Sequence, residues 1–307
     1  MSLLVVGSVA LDSVKTPFGE ATDVLGGSAT FFSVAASYFT SVNVVATIGE
    51  DFPPEHIDFL RGRGVDVAGI ETGRGKTFRW RGEYSYQLNE AKTLETQLNV
   101  FERFAPRVPE AYRNPSLVFL ANIDPTLQRD VLGQVRRPKI VACDTMNFWI
   151  SGKKPDLERT LKEVDILIIN DGEARQLAGE VNLVKASRAI MGLGPQTVII
   201  KRGEYGALLF SGSQVFAAPA FPLEHVFDPT GAGDSFAGGF LGHLAKHPSL
   251  DRANLCKAVI FGSVLASFCV EAFSLDRFKT LTRLDIQHRY REFKHLTFFE
   301  DVEDVDG

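Results

Sequence analysis

The amino-acid sequence predicts an α/β fold, in which a mostly parallel, doubly wound sheet carries helices on both faces. Short apolar runs rich in Val and Ile recur along the chain, and longer amphipathic segments lie between them. Such runs are typical of strands that are buried on both faces. Strands that alternate with helices in this way indicate right-handed βαβ units and therefore a parallel sheet.

Six runs are expected to form strands, and three segments are expected to form helices. The predicted strands are 3–10, 43–49, 117–122, 139–144, 165–170 and 197–201, and the predicted helices are 28–39, 125–136 and 171–180. Parallel sheets bind ligands at the carboxyl ends of their strands. Polar residues close to the ends of these runs are therefore candidate binding residues: Asp12, Asn122, Asp144, Asn170 and Lys201.

Residues 76–88 interrupt this alternation. Bulky and polar side chains alternate there around Arg81 and Gly82, which is typical of antiparallel strands. We expect segments 12–24 and 72–98 to form a small β-rich lid on a single domain of residues 1–300, followed by an acidic tail at 301–307. The open strand edges of such a lid favour a homodimer in which two lids pair.

Composition and charge exclude several classes of function. The net charge is −5 and there is no long basic run, so a broad nucleic-acid-binding face is not expected. The three cysteines are widely spaced and form no CxxC pair, which indicates reduced thiols in a cytoplasmic protein and no structural zinc. No uninterrupted apolar run reaches the ~18–20 residues of a membrane span, so no membrane partner is expected.

Residues 226–240, VFDPTGAGDSFAGGF, carry the most specific functional pattern in the chain. Gly231, Ala232 and Gly233 come directly before an apolar helical pattern, where bare N–H groups and the helix dipole attract an anion. Asp234 follows at once. Phosphoryl transfer needs donors for the oxygens of the moving group and a base for the attacking hydroxyl. For an isolated motif, an acid that only stabilises the helix is the alternative.

This motif resembles, position for position, the C-terminal pattern of the ribokinase-like (PfkB) carbohydrate and nucleoside kinases. Further stretches resemble other elements of that family over most of the chain, namely GSVALD, GGSATFFSVAA, NDGE and KRGEYGALLF. The resemblance implies a ribokinase-like three-layer α/β/α fold with a lid. It also implies an enzyme that uses ATP and Mg²⁺ to phosphorylate a hydroxymethyl group of a small-molecule sugar or nucleoside. A non-catalytic sensor on the same fold is the alternative.

The resemblance assigns catalysis and metal binding to a few positions. Asp234 would be the general base, and the backbone amides of residues 231–233 would form the anion hole. Asn170 and Glu173 match the Asn-x-x-Glu element of the family, in which Glu173 would act on Mg²⁺ through water. An ordinary carboxylate at a helix start is the alternative for Glu173.

The resemblance also assigns a nucleotide side. Asn170, Lys201, Gly203 and Thr230 would contact the nucleotide. Ribose-specific relatives commonly carry threonine where this chain has Lys201. That lysine either adds positive charge beside phosphate or only caps its strand. Asp228 and Thr230 lie where many relatives bind a monovalent cation, for which K⁺ is the candidate.

On the acceptor side, the resemblance assigns Asp12 to substrate hydroxyls. Gly26 and Gly27 match a glycine pair that lets the acceptor lie against the backbone. Asn122 and Asp144 are further candidates for acceptor contacts, because of their places at strand ends.

Two positions depart from ribose-specific relatives, which carry asparagine where this chain has Ala10 and Phe31. A pocket without both amides is not expected to bind free ribose in the usual way, because buried polar groups need partners. Phe31 and Phe32, with Trp80 or Tyr84 from the lid, could instead stack on a base or cover an apolar sugar face. Packing within the helix is the alternative for Phe31.

Overall fold

A computed structural model describes residues 2–300, so the acidic tail expected at 301–307 lies outside the described residues. The strands are β1 Ser2–Val6, β2 Ala10–Thr16, β3 Gly19–Gly26, β4 Ser41–Gly49, β5 Val65–Gly73, β6 Arg79–Tyr84, β7 Ala91–Gln97, β8 Leu117–Leu120, β9 Ile140–Asp144, β10 Ile166–Asn170, β11 Thr197–Lys201, β12 Ala207–Ser211 and β13 Gln214–Ala218. The helices are α1 Ser28–Ala36, α2 Pro54–Gly62, α3 Pro125–Leu132, α4 Asn147–Gly152, α5 Lys154–Leu161, α6 Asp171–Ala178, α7 Leu183–Met191, α8 Ala232–Lys246, α9 Arg252–Cys269, α10 Asp276–Thr280 and α11 Arg283–Thr297.

Nine strands form the main sheet, in the order β13-β12-β11-β10-β9-β8-β1-β4-β5. The pairs from β11 to β5 are parallel, and β12 and β13 add antiparallel strands at one edge. This confirms the predicted mostly parallel sheet. The strand order reverses between β1 and β8, and open α/β sheets bind ligands in the crevice outside such a reversal. The topology therefore places the expected site at the carboxyl ends of the central strands.

Helices cover both faces of this sheet, because its strands are apolar on both faces. Leu3 and Val5 pack into one apolar core together with α1, α8 and α9. Leu4 and Val6, which alternate with them along β1, pack into a second core together with α3, α5 and α7. The result is a three-layer α/β/α sandwich, as the sequence predicts.

Helix α9 is long and apolar enough to cross a membrane by length and composition, and it is the one such helix among residues 2–300. It packs against α8 inside the sandwich. The two helices approach so closely that a side chain at Gly239 of α8 would meet the backbone of Phe261 and Gly262 in α9. Half of its apolar stretch is buried in this way, as expected for a core helix.

The other four strands form a separate sheet, the lid, in the order β3-β2-β6-β7. β2 pairs antiparallel with β3 and parallel with β6, and β6 pairs antiparallel with β7. In the ladder between β2 and β6, Asp12 lies opposite Trp80 and Val14 lies opposite Gly82. Opposed residues share a face and side chains alternate along a strand, so Asp12, Trp80, Gly82 and Tyr84 lie on one face. We call it the inner face of the lid.

The structure corrects the extent of several predicted elements. The predicted strand 3–10 ends at Val6, because the chain leaves the main sheet there and Ala10 begins β2 of the lid. The predicted strand material at 76–88 is confirmed as β6, and its antiparallel partner β7 follows at 91–97. The predicted helices 28–39, 125–136 and 171–180 end earlier, at Ala36, Leu132 and Ala178.

Candidate active site

The N-terminus of α8 lies at the centre of the site. Gly231 precedes the helix with φ 75°, a left-handed conformation that favours glycine, and no side chain caps the helix start. A side chain at this position would also overlap the ring of Phe31. The amide of Ala232 donates to the carbonyl of Pro229 (3.1 Å). Of the three predicted anion-hole amides, that of Ala232 is therefore already used within the loop.

Asp234 lies in the first turn of α8 and is partly exposed. We call the space between this turn, the strand ends at Asp144 and Lys201, and the inner face of the lid the cleft. Desolvation and repulsion by Asp144 raise the pKa of its carboxyl to about 7, while the ammonium of Lys201 opposes the rise. A carboxylate whose pKa lies near neutrality can take up a proton and release it again at physiological pH. This is the property that a general base requires.

Lys201 and Asp144 form an ion pair at the ends of β11 and β9, with 3.3 Å between Nζ and Oδ2. Their side chains are 17% and 8% exposed. A Cβ at Gly233 would lie 2.8 Å from Nζ, so the ammonium lies against the first turn of α8. Burial by itself lowers the pKa of Lys201. The carboxylates of Asp144, Glu173 and Asp234 raise it by more than burial lowers it, so the pKa of Lys201 lies above its ordinary value. The lysine therefore carries its charge inside the cleft.

Asn170 and Glu173 form a capping box at the start of α6. The Asn170 side chain accepts from the Glu173 amide (2.7 Å), and Glu173 Oε2 accepts from the Asn170 amide (3.0 Å). Burial and repulsion by Asp144 raise the pKa of Glu173 to about 7, and Lys201 opposes that rise. Glu173 thus stabilises its helix and also faces the cluster around Lys201.

Asp12 faces the cleft from the lid. It is 6% exposed. It lies so close to Gly26 that a side chain at position 26 would overlap the Asp12 carboxylate. Asp12 Oδ2 accepts a hydrogen bond from the Gly27 amide (3.3 Å). Burial raises the pKa of Asp12 to about 7; the Gly27 amide lowers it, whereas Asp228 and Asp234 raise it. The structure therefore brings Asp12 and Asp234 together as carboxylates of one cleft.

The loop before α8 is held in place by Asp228, which is 1% exposed. Its Oδ1 accepts from the Thr230 amide (2.9 Å), and its Oδ2 accepts from the Ser274 amide (3.1 Å). The hydroxyl of Thr230 donates to the Tyr84 hydroxyl of the lid (3.3 Å). Asp228 and Thr230 thus join this loop to its surroundings, and a cation at Asp228 would have to share oxygens that already accept hydrogen bonds from amides.

The structure separates the four aromatic candidates. Phe32 is fully buried and stacks on Phe119 with ring centroids 4.3 Å apart, so the hypothesis that it stacks on a ligand is wrong. Phe31 is 2% exposed and packs against Gly231. Tyr84 is 9% exposed and its hydroxyl contacts Thr230. Trp80 is partly exposed on the inner face of the lid.

Asn122 lies at the end of β8 with both ends of its amide occupied. Its Oδ1 accepts from the Trp149 indole (3.0 Å), and its Nδ2 lies 3.1 Å from the Met146 sulfur. Asp144, the other candidate for acceptor contacts, forms an ion pair with Lys201. Because Lys201 also lies against Gly233, this pairing places Asp144 near the first turn of α8.

Two contacts were not predicted from the sequence. One is the Lys201–Asp144 pair, which joins strand ends 57 residues apart. The other is Asn89, whose Oδ1 accepts from the Glu204 amide and whose Nδ2 donates to the Glu204 carboxylate (3.2 Å each). Asn89 lies against Gly203, which has φ 54°. The connection between β6 and β7 of the lid therefore reaches Gly203, where a nucleotide contact is expected. Neither contact has a local sequence signal, because both depend on how distant segments meet.

Metal binding rests on few groups. Within residues 2–300, no three His, Cys, Asp or Glu side chains are grouped so that they could hold a metal ion by themselves. Asp144 and Glu173 nevertheless supply carboxylate oxygens beside Lys201, and Mg²⁺ prefers oxygen ligands and keeps several of its waters. The site therefore fits a magnesium ion that arrives with nucleotide phosphates.

Comparisons with known proteins agree with this architecture. The chain is 28% identical to the cytidine kinase of Thermococcus kodakarensis over 262 residues, which cover 82% of this chain and 91% of that protein. Its fold matches the nucleoside kinase of Burkholderia thailandensis in complex with inosine, with a TM-score of 0.78, 19% identity and coverage of 94% and 98%. It also matches a ribokinase II candidate from E. coli in complex with ATP and Mg²⁺, with a TM-score of 0.76, 16% identity and coverage of 95% and 99%.

Those structural matches show a ribokinase fold. Residues 6–279 match the sequence model of the pfkB family carbohydrate kinases, and the chain accordingly belongs to that family of kinases.

Proposed function

We propose that this kinase transfers the γ-phosphoryl group of ATP to a hydroxymethyl group of a sugar or nucleoside. The observation that carries the proposal is the position of Asp234. Asp234 lies in the first turn of α8 and its pKa is about 7. The Lys201 ammonium stabilises its charge, and Asp234 lies close enough to Asp12 for the two carboxylates to repel each other. An acceptor hydroxyl between Asp12 and Asp234 would lie next to a site built for phosphate.

In this proposal Asp234 takes the proton of the attacking hydroxyl. Ionised Asp234 is the competent form, and the charge of Lys201 keeps that form available by opposing the rise in pKa. Asp12 would accept hydrogen bonds from other hydroxyls of the acceptor and so orient the attacking oxygen. Two carboxylates thus divide deprotonation and positioning between them.

The transferring group would lie against the start of α8. The amides of Gly231 and Gly233 and the Lys201 ammonium would hold its oxygens, with Ala232 the least available donor. When bound, Mg²⁺ would neutralise charge on the β- and γ-phosphates. Glu173 would hold a water of that ion, and Asp144 would keep Lys201 in place.

Other parts of the proposal rest on the fold. The contacts of the lid with Thr230 and Glu204 support closure over both substrates, which would exclude water and limit ATP hydrolysis. A K⁺ requirement near Asp228, a homodimer through the open edges of β3 and β7, and a cytoplasmic location stay predictions of this proposal.

ADP release in the presence of ATP and Mg²⁺ tests the proposal directly. The acceptor panel consists of adenosine, cytidine, inosine, ribose, fructose and myo-inositol. At least one of them should stimulate ADP release and gain a phosphate that mass spectrometry detects. Asp234→Asn should lower kcat for that acceptor by about 10²–10⁴-fold, because a positioned base contributes that much.

The matched control is Asp58→Asn, which makes the same chemical change at an exposed carboxylate of α2. It should leave kcat unchanged, and both variants should keep the wild-type circular dichroism spectrum. A folded Asp234→Asn protein with full phosphoryl transfer would rule out the assigned base. A chain that binds ATP and an acceptor without turnover would be a sensor and not an enzyme.

A further inference from the structure

Trp80 presents an aromatic ring to the acceptor side of the cleft. It lies on the inner face of the lid, next to Asp12 across the strand pair. That face is directed toward the loop before α8, because Tyr84 on the same face accepts a hydrogen bond from Thr230, one residue before Gly231. Trp80 is partly exposed, and its neighbour Asp12 interacts electrostatically with Asp228 and Asp234, so the ring lies on the side of the lid that faces this loop.

The indole lies flat on its own strand. A Cβ at Gly82, two residues further along β6, would overlap three carbons of the six-membered indole ring. The Nε1 of the same ring donates to the hydroxyl of Thr93 on β7 (3.2 Å). One ring face is thus covered by the backbone of Gly82 and one edge is anchored, which leaves the opposite face toward the cleft.

The position of this ring relative to Asp12 constrains the ligand. Neighbouring strands lie about 4.8 Å apart, and the indole extends from β6 toward β7, away from Asp12 on β2. The Asp12 carboxylate lies against Gly26 of β3, on the opposite side of β2, so the ring lies about two strand spacings, ~10 Å, from the carboxylate. A pentose bound at Asp12 would end short of it, whereas a planar group on the anomeric carbon of that pentose would reach it.

We propose that Trp80 is a stacking platform for a nucleobase, so that the acceptor is a nucleoside with its ribose at Asp12 and its base on the indole. This inference rests on the proposed function, since it names the acceptor class of the same cleft. Stacking on an aromatic side chain is available to every base because each has a π-face. The other aromatic candidates make contacts within the protein. Phe31 packs against Gly231, Phe32 stacks on Phe119, and the Tyr84 hydroxyl accepts a hydrogen bond from Thr230.

The fluorescence of Trp80 tests the platform without any phosphoryl transfer. The chain has two tryptophans, so Trp149→Phe leaves Trp80 as the single reporter. Titration with cytidine or inosine should quench this emission in a saturable way, both without nucleotide and over a baseline of saturating non-hydrolysable ATP. Ribose at the same concentrations should leave the emission unchanged.

Steady-state kinetics on the wild-type background provide the second measurement. Trp80→Ala should raise the KM of the preferred nucleoside by roughly 10–100-fold, the loss expected when one stacked base loses its ring. Trp80→Phe should recover most of that loss. Gly82→Ala should also raise KM, because its Cβ would push the indole off the strand. Arg81→Ala, on the exposed opposite face of the lid, is the control and should change nothing.

The outcomes separate this inference from the proposed function. Saturable quenching by nucleosides without turnover of any acceptor would support the platform and overturn the kinase assignment. Phosphorylation of a free sugar, with nucleosides inactive and Trp80 emission unchanged, would overturn the platform and leave the kinase assignment intact. Wild-type KM values for a nucleoside in both Trp80→Ala and Gly82→Ala would mean that the indole only packs on Gly82.

Discussion

The two ends of the cleft are built from different chemistry. At the phosphoryl end, Lys201 lies among the carboxylates of Asp144, Glu173 and Asp234, against the start of α8. At the acceptor end, Asp12 lies beside Trp80 on the inner face of the lid. In the proposed mechanism, the phosphoryl end would present charges and amides to a group that is the same for every acceptor. The acceptor end presents one carboxylate and one aromatic surface, which is where the choice of substrate can be made.

The same contrast appears in how the two cleft aspartates are held. Burial raises the pKa of each to about 7, but only Asp234 has a neighbouring cation that opposes the rise. Asp12 has the Gly27 amide instead, a weaker partner than a full charge. Desolvation is thus the main cause of the raised pKa of both carboxyls, and Lys201 opposes that rise only at Asp234. Substitutions at the two ends should consequently differ in both size and pH dependence.

After loss of Asp234 itself, removal of the Lys201 charge should have the largest effect. Lys201→Met should lower kcat by about 10²–10³-fold, the scale measured when one preorganised donor to a developing charge is lost. Because the ammonium lowers the pKa of Asp234, its removal should also move the acid limb of the kcat/KM profile from near pH 7 to higher pH. Activity is lost below this limb, where Asp234 is protonated. The measurement is a pH–rate profile of both proteins.

Lys185→Met, at an exposed position of α7, is the matched control and should keep the wild-type profile. An unshifted acid limb in Lys201→Met would mean that Lys201 does not set the ionisation of the base. The contrast between the two aspartates would then lose its electrostatic explanation.

Loss of the contact between the lid and the loop before α8 should have a smaller effect on activity. Tyr84→Phe removes the acceptor of the Thr230 hydroxyl, and a single hydrogen bond of this kind should be worth about 2–10-fold in kcat/KM. Loosening the lid should also raise ATP hydrolysis in the absence of acceptor, because water would enter the cleft. Tyr86→Phe makes the same change at a side chain that is 86% exposed. If both variants hydrolyse ATP alike, the contact does not hold the lid closed.

The smallest effect concerns stability. Asp12 has a folded-state pKa of about 7 against 3.8 for the ordinary group, so between these values the unfolded chain releases a proton that the folded chain keeps. Asp12 therefore lowers the free energy of unfolding as pH rises through this window, and the loss is complete above pH 7. Asp12→Asn should raise Tm by roughly 2–4 °C at pH 8 and leave it unchanged near pH 4. Thermal melts at the two pH values measure this difference, and an equal shift at both would contradict it.

The sequence alone predicts some residues of the cleft and not others. The parallel sheet could be predicted because apolar strands alternate with helices along the sequence. Gly231–Asp234 could be predicted because they form one contiguous motif at a helix start. The Lys201–Asp144 pair could not be predicted, because it depends on which strands become neighbours at their carboxyl ends. The aromatic candidates were separated only by the register between β2 and β6, which sets Trp80 beside Asp12, and by packing that buries Phe32 on Phe119.

The most direct test of the account is a crystal structure of Asp234→Asn with Mg²⁺, a non-hydrolysable ATP analogue and cytidine. The account predicts the terminal phosphate against the Gly233 amide and Lys201 Nζ, and the 5′-hydroxyl of cytidine beside residue 234. It also predicts the cytosine ring parallel to the Trp80 indole. A terminal phosphate distant from the start of α8 would contradict the account.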